Sequence, residues 1–276
     1  MVWGTTFVAS KCLLNAGLTP EFICFLRFSI AYIGMVIIAE KRLWANTLRD
    51  ELLFVVLGMT GGSIYLMAEN TAINFTYTAN VSLIVSLAPM LTIFLDRAVH
   101  RSQRISRQMI VGAAFALLGV WIVITEGHFV INVQPIGDFL SLSAAMLWAI
   151  YSIVMRHLSK TYHTRFITRK IFAYGIITIL PICLARHSLD WQLLGNTNVI
   201  LNLLFLSIIA GLLCYIGWNY AIRKIGAVRP TIYIYFSPLI TIVASSLIID
   251  EPLKITTIAG TVITIIGVYV SQRKMV

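Results

Sequence analysis

The chain has 276 residues, 59% apolar and 12% charged, with a mean hydropathy of +0.88 and a formal net charge of +10. A soluble domain carries roughly 25% charged residues, so composition argues against a soluble fold, and no stretch between the apolar runs is long enough for a separate soluble domain. Nor does the charge mark a nucleic-acid binder, because Lys and Arg stand in short clusters between apolar runs and form no single patch. A helix needs roughly 20 apolar residues to cross a bilayer core of about 30 Å. In chain order the pattern predicts spans over 2–17, 20–39, 52–73, 77–96, 109–125, 137–155, 166–184, 199–221, 228–248 and 255–272. The expected fold is therefore an all-α integral membrane protein of ten transmembrane helices. The first span is short, reaching about 24 Å at the rise of an α-helix. It has no basic leader or small-residue cleavage site and reads as a membrane helix, not a signal peptide.

Charge sets the expected orientation. With the N-terminus inside, seventeen of the 21 basic residues fall on one side, in 40–51, 97–108, 156–170, 222–229 and the C-terminal tail. Only Arg186 and Lys254 fall on the other, and Lys11 and Arg27 lie within spans. Loops rich in Lys and Arg stay in the cytoplasm, so both termini are expected there.

The chain also repeats itself. At an offset of 149, Gly62, Asn70, Ala72 and Ile73 meet Gly211, Asn219, Ala221 and Ile222, and Pro89, Thr92 and Ile93 meet Pro238, Thr241 and Ile242. After a one-residue gap Gly112, Gly119 and Val120 meet Gly260, Gly267 and Val268, and the Trp3 region aligns with the Trp148 region at an offset of 145. Two units follow, 1–125 and 137–276. Each holds five spans, an odd number, so the second enters the membrane from the opposite side. Inverted repeats of this kind are a feature of secondary transporters, which alternate access around a site between the halves.

Several segments carry a family resemblance. The opening Trp3-Gly4-Thr5-Thr6-Phe7-Val8-Ala9-Ser10-Lys11 with Leu26-Arg27-Phe28 resembles the first two helices of EamA-type members of the drug/metabolite transporter superfamily. Ser86-Leu87-Ala88-Pro89 and Phe236-Ser237-Pro238-Leu239 resemble the proline-bearing fourth and ninth helices of that family, and Asp250-Glu251-Pro252 its closing glutamate-proline turn. The resemblance covers the whole chain. It implies a ten-helix bundle with both termini cytoplasmic, exporting or exchanging small metabolites. In the first half Arg101-Ser102-Gln103 stands where Glu251-Pro252 stands in the second, so no role carries over to that loop.

Ionisable residues inside the spans are few and costly, which makes them candidates for function. Lys11, Arg27 and Glu69 share a similar depth in the outer half. They are expected to meet, either as a structural ion pair or as a site whose surplus positive charge receives a substrate carboxylate or phosphate. On the third span Gly58, Gly61, Tyr65, Glu69 and Ala72 fall in one arc at helical spacing. Packing accounts for the glycines, and Tyr65 and Glu69 remain as cavity candidates. The matching face of the eighth span carries Gly211, Tyr215, Trp218, Asn219 and Ile222, with Trp218 in the place of Glu69. Spans four and nine share a polar stripe, Ser82 with Thr231, Ser86 with Tyr235 and Thr92 with Thr241. It either satisfies backbone freed by Pro89 and Pro238 or lines a path that flexes at those prolines. Trp148 and Tyr151, with Trp3, Thr6 and Ser10, complete the expected cavity wall.

Other chemistries find little support. Cys12, Cys24, Cys183 and Cys214 are scattered through apolar segments and read as buried thiols. The five histidines (His100, His128, His157, His163 and His187) lie in loops or at span ends without metal-ligand spacing, so no metal, no cofactor and no catalytic residue is predicted. There is no phosphate-binding loop for an ATP-driven pump and no filter-like repeat for a channel. The expected function is secondary transport of a small polar metabolite, an amino acid or a relative, across a bacterial inner membrane. The partners are that small molecule and the lipid bilayer, with no nucleic acid, and the oligomeric state is left open. A flippase for lipid-linked substrates of the same fold, or a membrane enzyme, is the alternative.

Overall fold

The computed structural model describes residues 2–39, 42–100, 107–124, 135–227, 230, 232–252 and 254–272, with the side chains of His100, Met109, Ile232, Tyr235, Val268, Ser271 and Gln272 left aside. Helix follows helix, and no strand occurs among the described residues. In chain order the rods are α1 (Val2–Asn15), α2 (Pro20–Ile38), α3 (Leu48–Phe75), α4 (Thr78–Val99), α5 (Arg107–Ile124) and α6 (Pro135–Leu158), followed by α7 (Thr164–Ala185) and α8 (Thr197–Ile225). The ninth, α9, winds as a 3₁₀ turn over Ile232–Phe236 and continues as an α-helix over Ser237–Ile248, and α10 is Ile255–Gln272. Six of them (α2, α3, α4, α6, α7 and α8) are long and apolar enough to cross a membrane, and shorter apolar helices lie at Ile110–Val123, Ser237–Ile248 and Ile255–Gly267.

Several helices run past the apolar stretch that predicts them, and their ends explain why. Thr47 caps α3 by accepting from the Asp50 N–H, and Asp50 and Glu51 sit in its first turn, where acidic side chains offset the helix dipole. These residues are polar, so hydropathy alone starts the span late. Around them a polar cluster ties α3 to α7. Lys170 and Tyr174 both donate to Glu51 Oε1, and Tyr162 donates to Asp50 at 2.7 Å. Lys170 also lies 5.0 Å from the Trp44 ring. Burial, and then its bond to Asp50, push the Tyr162 phenol above its ordinary pKa. Where α4 begins, Glu251 receives the Thr78 N–H at 2.9 Å and the Thr78 hydroxyl at 2.7 Å. The glutamate-proline turn singled out in the sequence thus holds a helix N-terminus from the far half of the chain.

Glycines set the closest helix contact. A Cβ on Gly119 would lie 2.4 Å from the Gly260 carbonyl oxygen, and one on Gly267 would lie 2.6 Å from that of Gly112. The glycines that pair in the repeat alignment are thus those at which α5 and α10 meet backbone to backbone.

Two features depart from a uniform α-helix. Within α3, Met59–Ser63 forms a π turn that breaks into a kink at Gly62, with φ −136° and ψ −108°, and within α8, Phe205–Leu213 winds as a π-helix. The turn breaks the arc expected on α3: a Cβ on Gly58 would strike Tyr174 of α7, one on Gly61 the Tyr151 ring of α6, and one on Gly62 approaches Phe28 of α2. Pro89 and Pro238 do not interrupt continuous α-helix either. Each stands in the first turn of an α-segment, after the turn at Ser86–Leu87 or the 3₁₀ turn at Ile232–Phe236. Proline is tolerated there because it has no N–H to lose. Pro181, unremarked in the sequence, does lie inside α7.

Candidate functional site

Aromatic side chains from four helices converge at the centre. Trp3 of α1 lies 5.3 Å from Trp148 of α6 and 4.9 Å from Trp218 of α8, ring centre to ring centre, and Trp148 lies 4.9 Å from Tyr151 and 5.2 Å from Tyr65. The π turns receive this cluster. The Trp3 indole donates to the Ala210 carbonyl at 3.1 Å, and the Tyr215 hydroxyl donates to the Gly61 carbonyl at 2.5 Å. A π turn leaves carbonyls outside the regular ladder, and in a membrane such groups need a partner from the protein. Each turn takes its partner from the opposite half of the chain.

The cluster walls a cavity of about 40 Å³. Trp3, Thr6, Arg27, Tyr65, Glu69, Trp148 and Tyr215 line it, all of them anticipated from the sequence, together with Phe7, Leu66, Val85, Ala88, Ile234 and Ser237, which were not. A water needs roughly 10–15 Å³ of such space, so the volume admits a few waters and no metabolite. A wider apolar opening of about 300 Å³ adjoins it between α1, α8 and α9, sharing Trp3, Ile234 and Ser237 and adding Trp218.

Polar groups inside the cavity are few. Arg27 is 3% exposed, and its Nε and Nη1 have no hydrogen-bond partner. Glu69, also 3% exposed, accepts from the Tyr65 hydroxyl. Among the described residues no ion pair joins the two, although both line the cavity. The indole N–H groups of Trp148 and Trp218 are likewise buried without partners. Beside the cavity the Tyr151 hydroxyl donates to Asn219, whose amide donates to Thr168 at 3.0 Å.

Other expected members lie elsewhere. Lys11 donates to the Ile73 carbonyl at 2.9 Å and does not line the cavity, so the trio of Lys11, Arg27 and Glu69 is reduced there to Arg27 and Glu69. A backbone carbonyl one turn beyond Glu69 satisfies the ammonium instead. Ser10 is fully buried with an unpartnered hydroxyl, outside the lining. The stripe on α4 and α9 turns to backbone: Ser86 donates to the Leu83 carbonyl at 2.5 Å and Thr92 to that of Ala88 at 2.7 Å. Thr241 lies within bonding distance of the Gly4 carbonyl, the Ser237 carbonyl and the Ser82 hydroxyl. Hydroxyls in membrane helices serve freed carbonyls in this way. Thr231 and the Tyr235 side chain lie outside the described residues, as does the Arg101-Ser102-Gln103 segment.

Comparison with known proteins places this geometry. An "uncharacterized transporter" of Archaeoglobus fulgidus is 30% identical over 99% of this chain and 95% of its own length. A "probable amino-acid metabolite efflux pump" of Escherichia coli K12 is 24% identical over 98% of this chain and 91% of its own. A crystal structure at 14% identity superposes with a TM-score of 0.68 over 99% of this chain and 96% of its own, a likeness of fold alone. The EamA-like transporter family matches residues 1–125 and again 135–272. With membrane-length apolar helices and a family match over both halves, the chain is an integral membrane protein and belongs to the EamA-like transporter family.

Proposed function

We propose that this protein is a secondary transporter that exports or exchanges a small polar metabolite, an amino acid or a relative, across the cytoplasmic membrane by alternating access. The observation that carries the reading is Arg27, a buried guanidinium that lines the aromatic cavity and has two donor nitrogens without a hydrogen-bond partner. A buried charge without a partner is costly, and a ligand carboxylate would satisfy it in bidentate fashion. The fold reading is ten spans in two inverted five-helix repeats, with both termini in the cytoplasm. It is supported by the two family matches and by π turns at equivalent places in α3 and α8. The bacterial relative named as an amino-acid metabolite efflux pump supports the substrate class. Glu69, Tyr65 and the surrounding indoles complete the pocket once it opens.

An uptake and efflux screen of the twenty common amino acids on purified protein in liposomes tests this. Transport of at least one amino acid is expected. Arg27→Gln should weaken its binding about 10- to 100-fold, the range of a charged hydrogen bond worth roughly 1.5–3 kcal/mol, whereas Lys11→Gln should leave affinity unchanged. Equal loss from both substitutions would remove Arg27 from the substrate site. The apolar opening of about 300 Å³ favours a second reading, flipping of a lipid-linked substrate. Transbilayer movement of a fluorescent lipid in the same liposomes, without amino-acid transport, would establish it instead.

A further inference from the structure

Within the transport reading above, we propose that Glu69 is a proton site of the cavity, and that the substrate's ammonium group displaces that proton, so that an amine-bearing metabolite leaves in exchange for a proton. Glu69 is buried, and among the described residues its one hydrogen-bond partner is the Tyr65 hydroxyl and no cation lies within ion-pair distance. A carboxylate in such a place costs several kcal/mol and takes up a proton instead. The position of Arg27 agrees. Its Nε and Nη1 are unbonded and it lines the same small cavity, yet it does not close onto Glu69.

Among the described residues that line the cavity, Glu69 is the only acid. From the elements packed against α3, Arg27 of α2 and Tyr215 of α8 share the lining, and Tyr151 of α6 is committed to Asn219. Lys11 of α1 is committed to the Ile73 carbonyl, and Lys170 of α7 to Glu51 at the start of α3. A zwitterion entering the opened cavity finds Arg27 for its carboxylate and Glu69 for its ammonium, with indole faces that favour a cation. The exchange balances: the Glu69 O–H bond breaks, its proton leaves to water, and an ammonium N–H now donates to the carboxylate. Proton and amine compete for one group, so neither occupies it while the other does. Among the described lining residues, the one cation and one acid match the two charges of an amino acid.

Infrared difference spectroscopy of the purified protein at neutral pH tests this through the C=O stretch of a protonated carboxyl. The band should be present in wild type, absent in Glu69→Gln, and lost from wild type when a mixture of the twenty common amino acids is added. Tyr65→Phe keeps the carboxyl, so its band should remain and should still be lost when the amino acids are added. This second variant serves even if Glu69→Gln fails to fold. In liposomes an inward proton gradient should drive amino-acid efflux in wild type, while Glu69→Gln should show only gradient-independent exchange. No band assignable to Glu69, or a band that survives amino-acid binding, overturns the proposal. A mixture that neither binds nor moves in wild type, whatever the band, defeats the amino-acid reading itself and the exchange with it.

Discussion

The π turns of α3 and α8 occupy equivalent places in the two halves, and they are not built alike. At the offset of 149, Gly61 corresponds to Ala210, the two residues whose carbonyls accept a hydrogen bond from an aromatic side chain of the other half. At Ala210 the donor is Trp3. The equivalent donor for Gly61 is Trp148, but Tyr215 takes that carbonyl and the Trp148 indole N–H is left buried without a partner. Beyond the turn, Glu69 stands in one half where Trp218 stands in the other. Similar placement with divergent chemistry sets Arg27 and Glu69, both from the first half, among aromatic side chains drawn from both halves. A transporter with two identical halves would have no such polarity at its centre.

The largest break in the comparison is expected at the turn itself. A Cβ on Gly61 would lie 2.2 Å from Cδ2 of Tyr151, whereas Ala210 already carries one. Gly61→Ala must therefore displace a buried ring that bonds Asn219, and it should cost about 1–3 kcal/mol, as overpacking does. Ala210→Gly should cost less, about 0.5–1 kcal/mol from backbone freedom alone. Thermal unfolding of the two variants in the same detergent checks the order. If Gly61→Ala unfolds no earlier than Ala210→Gly, the ring yields freely and the contact does not set the turn.

The next effect is smaller. Tyr215→Phe removes the hydroxyl from the Gly61 carbonyl and leaves the ring in place. Hydrogen bonds between membrane helices average about 0.6 kcal/mol and reach about 1.7 kcal/mol, and a loss in that range is expected from denaturant unfolding. A loss of several kcal/mol would mean that the hydroxyl closes the cavity rather than merely satisfying a carbonyl.

The apolar runs and the offset of 149 make most of the helices legible in the sequence, because burial in lipid demands long uninterrupted stretches. The polar first turn of α3, Arg49 to Glu51, is invisible to that measure. The π turns leave only Gly61-Gly62 and Gly211 as a trace, since an inserted residue does not change composition, and the arc drawn through Gly58 assumes a helix the chain does not form. At the site, Arg27, Glu69 and the tryptophans stand out because charge and indole are uncommon inside a span. Phe7, Leu66, Val85 and Ala88 look like any core residue and carry no signal. Ser82 and Ser86 mislead for a physical reason: a hydroxyl on a helix can satisfy a backbone carbonyl or another hydroxyl and need not face a cavity.

The smallest effect sharpens the comparison most. Trp3→Phe removes both ring volume and the hydrogen bond to Ala210. Trp148→Phe removes similar volume and an N–H that bonds nothing, so it should destabilise less, by roughly one interhelical hydrogen bond of about 0.6 kcal/mol. The halves differ here because one carbonyl has two candidate donors. With Tyr215→Phe in place, the Gly61 carbonyl is free and the Trp148 indole becomes its only candidate, as Trp3 is for Ala210. Trp148→Phe should then cost more in the Tyr215→Phe background than in wild type, a coupling that a double-mutant cycle resolves when it exceeds about 0.5 kcal/mol. Trp3→Phe, whose carbonyl lies in the other turn, should keep its wild-type cost there. Additive costs for Trp148 and Tyr215 would mean that the indole cannot reach the turn, and that the two halves diverged in backbone position as well as in side chains.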